Sequence, residues 1–346
     1  MDLPLKMLTE PLPLTPLEQV LKHLTTVYLR GSCTREEMEQ LTAKLLQNAP
    51  ADREFALSLL TDTMPGNLMD ADFIPQQAQV HMMLHARYTP AMLHSHTFFE
   101  VLYVACGSCI NVFEDGLMQL QAGELLFIPP GLRHAISVFD DETNLVNFLV
   151  RTDALASALQ GMTNPDDAIA RFFDMGSRPG ASNVLYISSD ENLSYLVGRI
   201  NMEITRGDDR FRSRIIESYF RILMVHLIRD YGEHARLMQV QVPEQTVDIV
   251  LQYLRSETGS VTLSDLAYRL GYSYEHLSRM IKSATGKSFS ALRREIRLQR
   301  AANLLCGTSR PVEEIAQVCG YETRSQFYAQ FKAAYGVTPT QYRLGK

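Results

Sequence analysis

Three regimes of hydrophobic patterning divide the 346-residue chain. Residues 16–62 repeat apolar positions at helical spacing: Leu17, Val20, Leu21, Leu24 and Tyr28, then Met38, Leu41 and Leu45, then Phe55, Leu59 and Leu60. Thr34 and Glu37 stand as a capping box before the second run. From about Val80 to Val150 the period shortens. Runs such as Val101 to Val104, Ile110 to Phe113, Met118 to Leu120 and Leu125 to Ile128 are separated by Gly107, by Glu114-Asp115-Gly116 and by Gly123. This predicts short antiparallel strands closed into a barrel or jelly roll. Helical spacing returns at Leu193, Leu196, Val197, Ile200 and Ile204, and at Ile215, Ile216, Tyr219, Phe220, Leu223 and Leu227. Each apolar face packs either on the strands or on a second copy of the chain, since periodicity does not name the partner. Asn164-Pro165 and Pro179-Gly180 read as breaks, and Leu237 to Gln245 as a flexible linker.

The last hundred residues contain one pattern twice. Leu266-Ala267, Gly271-Tyr272, Leu277, Ile281-Lys282 and Gly286 recur as Ile315-Ala316, Gly320-Tyr321, Phe327, Phe331-Lys332 and Gly336. A small residue where two helices cross, followed by a glycine suited to positive φ, is the requirement of a helix-turn-helix. Thr262 with Asp265 and Pro311 mark the starts of the supporting helices; Ser273 and Thr323 mark those of the recognition helices, Thr323 with Gln326 as a capping box. Leu277, Met280, Ile281, Phe327 and Phe331 face the core. Tyr274, Glu275, Ser278, Arg279 and Lys282 of the first unit, and Arg324, Ser325, Tyr328 and Lys332 of the second, are left to meet DNA. Arg279 is the candidate base reader, because arginine pairs bidentately with guanine in the major groove.

From about Thr246 to Arg343 the chain resembles the AraC/XylS family of bacterial transcription regulators, through both units, the joining Arg297-Leu298, Ala301 and Leu304-Leu305, and the closing Thr338-Pro339 and Tyr342-Arg343. Ala329 stands where many members of that family carry a polar side chain, so the second unit is expected to grip DNA less firmly. Patterning and resemblance together imply a multidomain α+β regulator: an N-terminal helical extension (1–75) that lies beyond the resemblance, a cupin-like ligand-sensing barrel (76–180), linker or dimerisation helices (181–236), and an all-α DNA-binding domain with two helix-turn-helix motifs (244–346). It implies double-stranded promoter DNA, a small-molecule effector, RNA polymerase and a second copy of the chain as partners, and activation more than repression.

Charge supports this division. The formal net charge is −6, yet residues 244–346 hold 14 Lys or Arg against 9 Asp or Glu, while the remainder holds 19 against 30. Phosphate attraction therefore belongs to the C-terminal part. No apolar run is long enough to cross a membrane, the N-terminus has no secretory signal pattern, and five cysteines form no paired framework. The expected location is the cytoplasm, at the nucleoid when bound to DNA.

Within the strand region, His94, His96 and Glu100, then Gly107, Gly123, Pro129, Gly131 and His134, resemble the two cupin motifs; Tyr88 replaces the usual leading glycine and Val138 the usual closing asparagine. These three histidines and the glutamate are the set that holds a divalent metal in cupin enzymes, and such a donor set suits Mn, Fe, Ni or Zn. The reading adopted is pocket-lining histidines with no metal and no cofactor: His94, His96, Glu100, Tyr103 and His134 as ligand contacts, in a protein that is not an enzyme. A metal-dependent cupin enzyme fused to a DNA-binding domain, or a ligand-independent regulator, are the alternatives. Cys106-Gly107-Ser108-Cys109 has redox-pair spacing but falls on a strand turn, where no thiol chemistry is needed to explain it.

Overall fold

The computed structural model describes residues 8–28, 33–58, 74, 78–114, 116–159, 161, 167–176, 183–188, 192–206, 210–239, 243–256 and 261–345. Leu59, Leu60, Asp115, Asn164-Pro165 and Pro179-Gly180 lie outside them. The chain divides into two compact units, 1–241 and 242–346.

The first unit opens with helices α1 (Pro16–His23), α2 (Arg35–Leu45) and α3 (Pro50–Ser58). Thr34 and Glu37 form the expected capping box, and Thr15 with Glu18 forms another ahead of α1. Val20, Leu24, Met38, Leu46 and Ala56 make a small core among these helices.

The strands form two antiparallel sheets. One has the order β1 (Val80–Leu84), β7 (Asn144–Val150), β2 (Phe99–Cys106), β5 (Glu124–Ile128), β8 (Asn183–Ser188), β9 (Arg236–Gln239). The other has the order β4 (Gly116–Gln121), β3 (Ser108–Phe113), β6 (His134–Ser137). Alternation along the strands gives the large sheet two buried faces. Leu102, Val104, Leu126, Ile128 and Leu145 pack on Phe113, Leu120 and Ile136 of the small sheet. Phe99, Val101, Tyr103, Phe127 and Phe148 point the other way, onto a helical layer.

That layer comprises α4 (Thr152–Leu159), α5 (Ala168–Gly176), α6 (Asn192–Thr205) and α7 (Arg212–Tyr231). The stripe Leu193, Val197, Ile200, Ile216, Phe220, Leu223 and Leu227 belongs to this same core, so the main apolar faces of α6 and α7 are spent within the chain. Leu237 to Gln239, expected in a linker, instead pair with β8 as β9, because Leu237 and Met238 pack against opposite faces of the sheet.

Tyr88 is the only described non-glycine residue with positive φ, at 65°. Tyr88, standing where the cupin motif has a glycine, thus holds a left-handed backbone at a cost of about 1–2 kcal/mol. The Tyr88 N–H donates to the Val138 carbonyl at 2.7 Å and its hydroxyl to Asp141 Oδ1 at 2.6 Å. Beside it, Arg87 is 3% exposed and Glu18 5%. Arg87 Nε and Nη2 donate to the two Glu18 carboxylate oxygens at 2.8 and 2.9 Å, and its remaining donors reach the carbonyls of Leu12, Pro13 and Asp141. This network fastens the N-terminal segment to the β-domain.

The second unit contains α8 (Pro243–Ser256), α9 (Leu263–Arg269), α10 (Tyr274–Thr285), α11 (Phe289–Gly307), α12 (Val312–Val318), α13 (Arg324–Tyr335) and α14 (Pro339–Arg343). Its helices pack through Leu266, Leu270, Leu277 and Ile281 in the first half. Ile315, Cys319, Phe327 and Phe331 serve in the second, with Leu298 and Leu305 of the long α11.

Removing one member of a buried ion pair leaves an uncompensated charge, so Arg87→Ala is expected to cost about 3–5 kcal/mol in chemical denaturation. Replacing both partners, as Arg87→Met with Glu18→Leu, should recover part of that loss, since the Glu18 cap and the bonds from Arg87 to three carbonyls stay missing. Equal losses for the single and double variants would show that the ion pairing itself contributes nothing.

Candidate functional site

The antiparallel register gathers a polar cluster between the two sheets. Glu100 lies on the inward face of β2 with Leu102 and Val104. Asn147 of β7 stands opposite Leu102, and its Nδ2 donates to Glu100 Oε1 at 2.8 Å. His134 opens β6 and forms an isolated bridge with His94, each N–H donating to the other's carbonyl at 2.9 Å. His96 stacks on Phe98 with ring centroids 4.1 Å apart. His85, just past β1, donates its N–H to the Leu145 carbonyl and joins the group. His96, Glu100, His134 and Asn147 are all buried.

The rings are oriented by main chain. Nδ1 of His94, His96 and His134 lies 2.9, 2.8 and 3.2 Å from the carbonyl oxygens of Met92, Phe98 and Leu132. A carbonyl only accepts, so each Nδ1 carries the hydrogen and each Nε2 is left for the interior. Yet His134 Nε2 is 2.7 Å from Glu100 Oε2, and His96 Nε2 is 3.5 Å from the same oxygen. Two acceptors cannot face each other at such a distance; a shared proton or a cation must lie between them.

Burial pushes the Glu100 carboxyl up, but the close approach of His134 and, at 3.5 Å, of His96 outweighs it and holds the acid well below the usual carboxylate range. Burial lowers His94 to about 4, helped by the neighbouring His134. Burial likewise lowers His85 to about 4. Several polar atoms in this interior have no hydrogen-bond partner: His85 Nε2, His96 Nε2, Asn111 Oδ1 and Asn147 Oδ1. Asn111 lies two residues from Phe113, the cross-strand partner of His134.

Among the described residues, His94, His96 and His134 offer ligand atoms that all lie within 4.8 Å of one another. Their inward Nε2 atoms, the main-chain anchors behind them and the Glu100 carboxylate fit a divalent ion, since anchored Nδ1–H groups are the usual support of metal-binding imidazoles.

Tyr103, expected beside these residues, is a correction: strand alternation puts it on the opposite face of β2 from Glu100, in the helix-facing core. Phe127 goes the same way, against Phe172 and Phe173. His85 and Asn147 escaped the sequence reading because neither belongs to the two motifs. Burial raises the thiols of both Cys106 and Cys109, which disfavours the thiolate at this pair. A separate surface cleft of about 220 Å³ is lined by Gln79, Asp153, Ser157, Glu217 and Arg221 among others.

In the second unit the turn chemistry repeats. Gly271 and Gly320 have φ of 63° and 79°, and the following Tyr272 and Tyr321 N–H groups donate to the Ala267 and Ala316 carbonyls. Thr262 and Asp265 complete a capping box, and Ser273 accepts from the His276 N–H. Thr323 accepts from the Gln326 N–H without the reciprocal bond, so the expected box is half formed. Tyr274, Glu275, Arg279 and Lys282 of α10 are exposed, as are Arg324, Ser325 and Lys332 of α13; Ser278 and Tyr328 are half-buried.

The two units define a class: a β-domain with an internal polar site, and a helical domain presenting paired recognition helices. The first matches the AraC-like ligand binding domain over residues 83–213, and the second a helix-turn-helix domain over residues 266–345. The chain belongs to the AraC family of DNA-binding transcriptional regulators. It is 23% identical over 274 residues to the HTH-type transcriptional activator RhaR of Mannheimia succiniciproducens, spanning 78% of this chain and 94% of that protein. It is 31% identical over 94 residues to the xylose operon regulatory protein of Escherichia coli, spanning 27% of this chain and 24% of that one. Among solved structures, the C-terminal domain of AraT from Geobacillus stearothermophilus is 41% identical, over 29% of this chain and 85% of that one, with a TM-score of 0.28. ToxT from Vibrio cholerae is 16% identical over 77% of this chain and 96% of that one, with a TM-score of 0.33.

A histidine held neutral in the fold takes up a proton more readily when unfolded, so its stabilising contribution is lost as pH falls from about 6.5 toward 4. Between pH 7 and 5, His85 should account for about 2 kcal/mol of lost stability. Denaturant unfolding of the wild type and of His85→Gln should therefore differ in pH slope by that amount over this window. Parallel pH profiles would show that His85 is free to ionise in the fold.

Proposed function

We propose that the chain regulates transcription by taking a small, oxygen-rich molecule into the Glu100–histidine site and reading promoter DNA with both recognition helices. The unpartnered buried polar atoms inside the β-domain carry the first half of this reading. Buried polar groups are ordinarily satisfied, and a ligand presenting hydroxyl or carboxylate oxygens would satisfy these. Such a ligand shifts DNA occupancy by favouring one conformation of the chain over another.

The contacts would come from His85, His94, His96, Glu100, His134 and Asn147. On the DNA side they would come from Tyr274, Glu275, Ser278, Arg279 and Lys282, and from Arg324, Ser325, Tyr328 and Lys332. Arg279 reads a base, while Lys282 and Lys332 hold phosphates. The chain acts as a regulator and not an enzyme, in the cytoplasm and at the nucleoid, activating through RNA polymerase. Exposed Ile222 and Val225 on the outer side of α7 supply a stripe for a homodimer. A second reading adds a divalent ion at His94, His96, His134 and Glu100; the facing acceptors at His134 and Glu100 favour it.

A genomic map of the sites bound in the native host, followed by footprinting of the full chain on those sites, tests the DNA half. Two protected segments about one helical turn apart are expected for each copy of the domain. A single short protected segment would refute the use of both helices.

A further inference from the structure

The two recognition helices differ in how they hold their arginine. Arg279 of α10 is exposed and has no ion pair among the described residues. Arg324, the first residue of α13, is gripped from two sides. Its Nη1 lies 3.0 Å from Glu313 Oε1 in the first turn of the supporting helix α12. Its guanidinium lies 4.9 Å from the centre of the Tyr328 ring, and Nη2 donates to the Tyr328 hydroxyl at 3.3 Å. That hydroxyl is in turn 3.2 Å from Thr340 Oγ1 on α14. The 49- and 50-residue offsets of the repeat place Ser264, Tyr274, Ser278 and Ser290 at the corresponding positions of the first unit, where no such set can form.

We propose that Glu313 is a positioning residue that fixes Arg324, on the Tyr328 platform, as the base-reading arginine of the second unit, directed at a guanine edge. This rests on the reading that α13 enters a major groove, where the N-terminal residues of a recognition helix meet base edges. An unrestrained arginine must lose its rotamer freedom to make a bidentate contact; one held by a carboxylate and an aromatic face has lost part of it beforehand. The pair is exposed, 64% on the arginine and 52% on the glutamate, so it adds little to stability. Its effect falls on where the guanidinium points. The carboxylate also repels phosphate, which penalises any docking that uses Arg324 merely as a backbone contact. The second unit thereby compensates for Ala329, with its reader at the start of the helix.

The test is selection of duplexes from a random library by the full chain, for the wild type, Arg324→Ala, Glu313→Gln and Glu313→Asp, with thermal unfolding measured alongside. The wild type should select two blocks. Arg324→Ala should lose about 10-fold preference for guanine at one position of one block. Glu313→Gln should lose about 3-fold at that same position and nowhere else, with unfolding unchanged, and Glu313→Asp should restore part of it. A wild-type profile for Glu313→Gln, beside a lost guanine for Arg324→Ala, overturns the positioning role and leaves the groove assignment standing. Two intact blocks for Arg324→Ala overturn Arg324 as reader. A wild type that selects one block overturns the groove assignment itself, and the proposal with it.

Discussion

An ionised carboxylate between two apolar sheets is the constraint around which the N-terminal unit is arranged. Glu100 has Leu102 and Val104 as inward neighbours on its own strand and almost no access to water. Such a charge is tolerated only when its oxygens are fully engaged. Asn147 takes one oxygen; His134 and, more distantly, His96 crowd the other. The histidines are themselves set by main-chain carbonyls, which turn their second nitrogens toward the same point. The result is a preorganised polar site with unsatisfied capacity, which is what a ligand or an ion needs from a protein interior.

The pleat explains why this site coexists with so large a core. Strands β2, β5, β7, β8 and β9 of the six-stranded sheet send residues to two different apolar environments, one shared with the small sheet and one with helices α4 to α7. A single strand can thus carry Glu100 inward and Tyr103 outward without conflict. At the edge of the same unit, Arg87 and Glu18 solve a similar problem differently, by pairing with each other and with three carbonyl groups.

Much of this was legible in the residues. The twin helix-turn-helix was plain because small residues, glycines and apolar stripes recur with fixed offsets, and each is demanded by local geometry. The strand region was legible from its turns, and His94, His96, Glu100 and His134 from their motif. What escaped depends on contacts distant in sequence. Asn147 meets Glu100 across 47 positions, Arg87 meets Glu18 across 69, and neither spacing follows from a local period. Tyr103 was misplaced although the sequence carried the sign: it stands three residues from Glu100, an odd separation that alternation sends to the opposite face of the strand. Leu237 and Met238 resembled linker because an edge strand of four residues is too short to show alternation.

The ring orientations around Glu100 are the most direct point of attack on this account. Nitrogen NMR of the full chain labelled with 15N-histidine, recorded with and without chelator near pH 7, reports which ring nitrogen carries hydrogen. The account predicts hydrogen on Nδ1 for His94 and His96, with Nε2 directed at the Glu100 site. Rings protonated at Nε2 would contradict it, because the main-chain carbonyls would then no longer set the site.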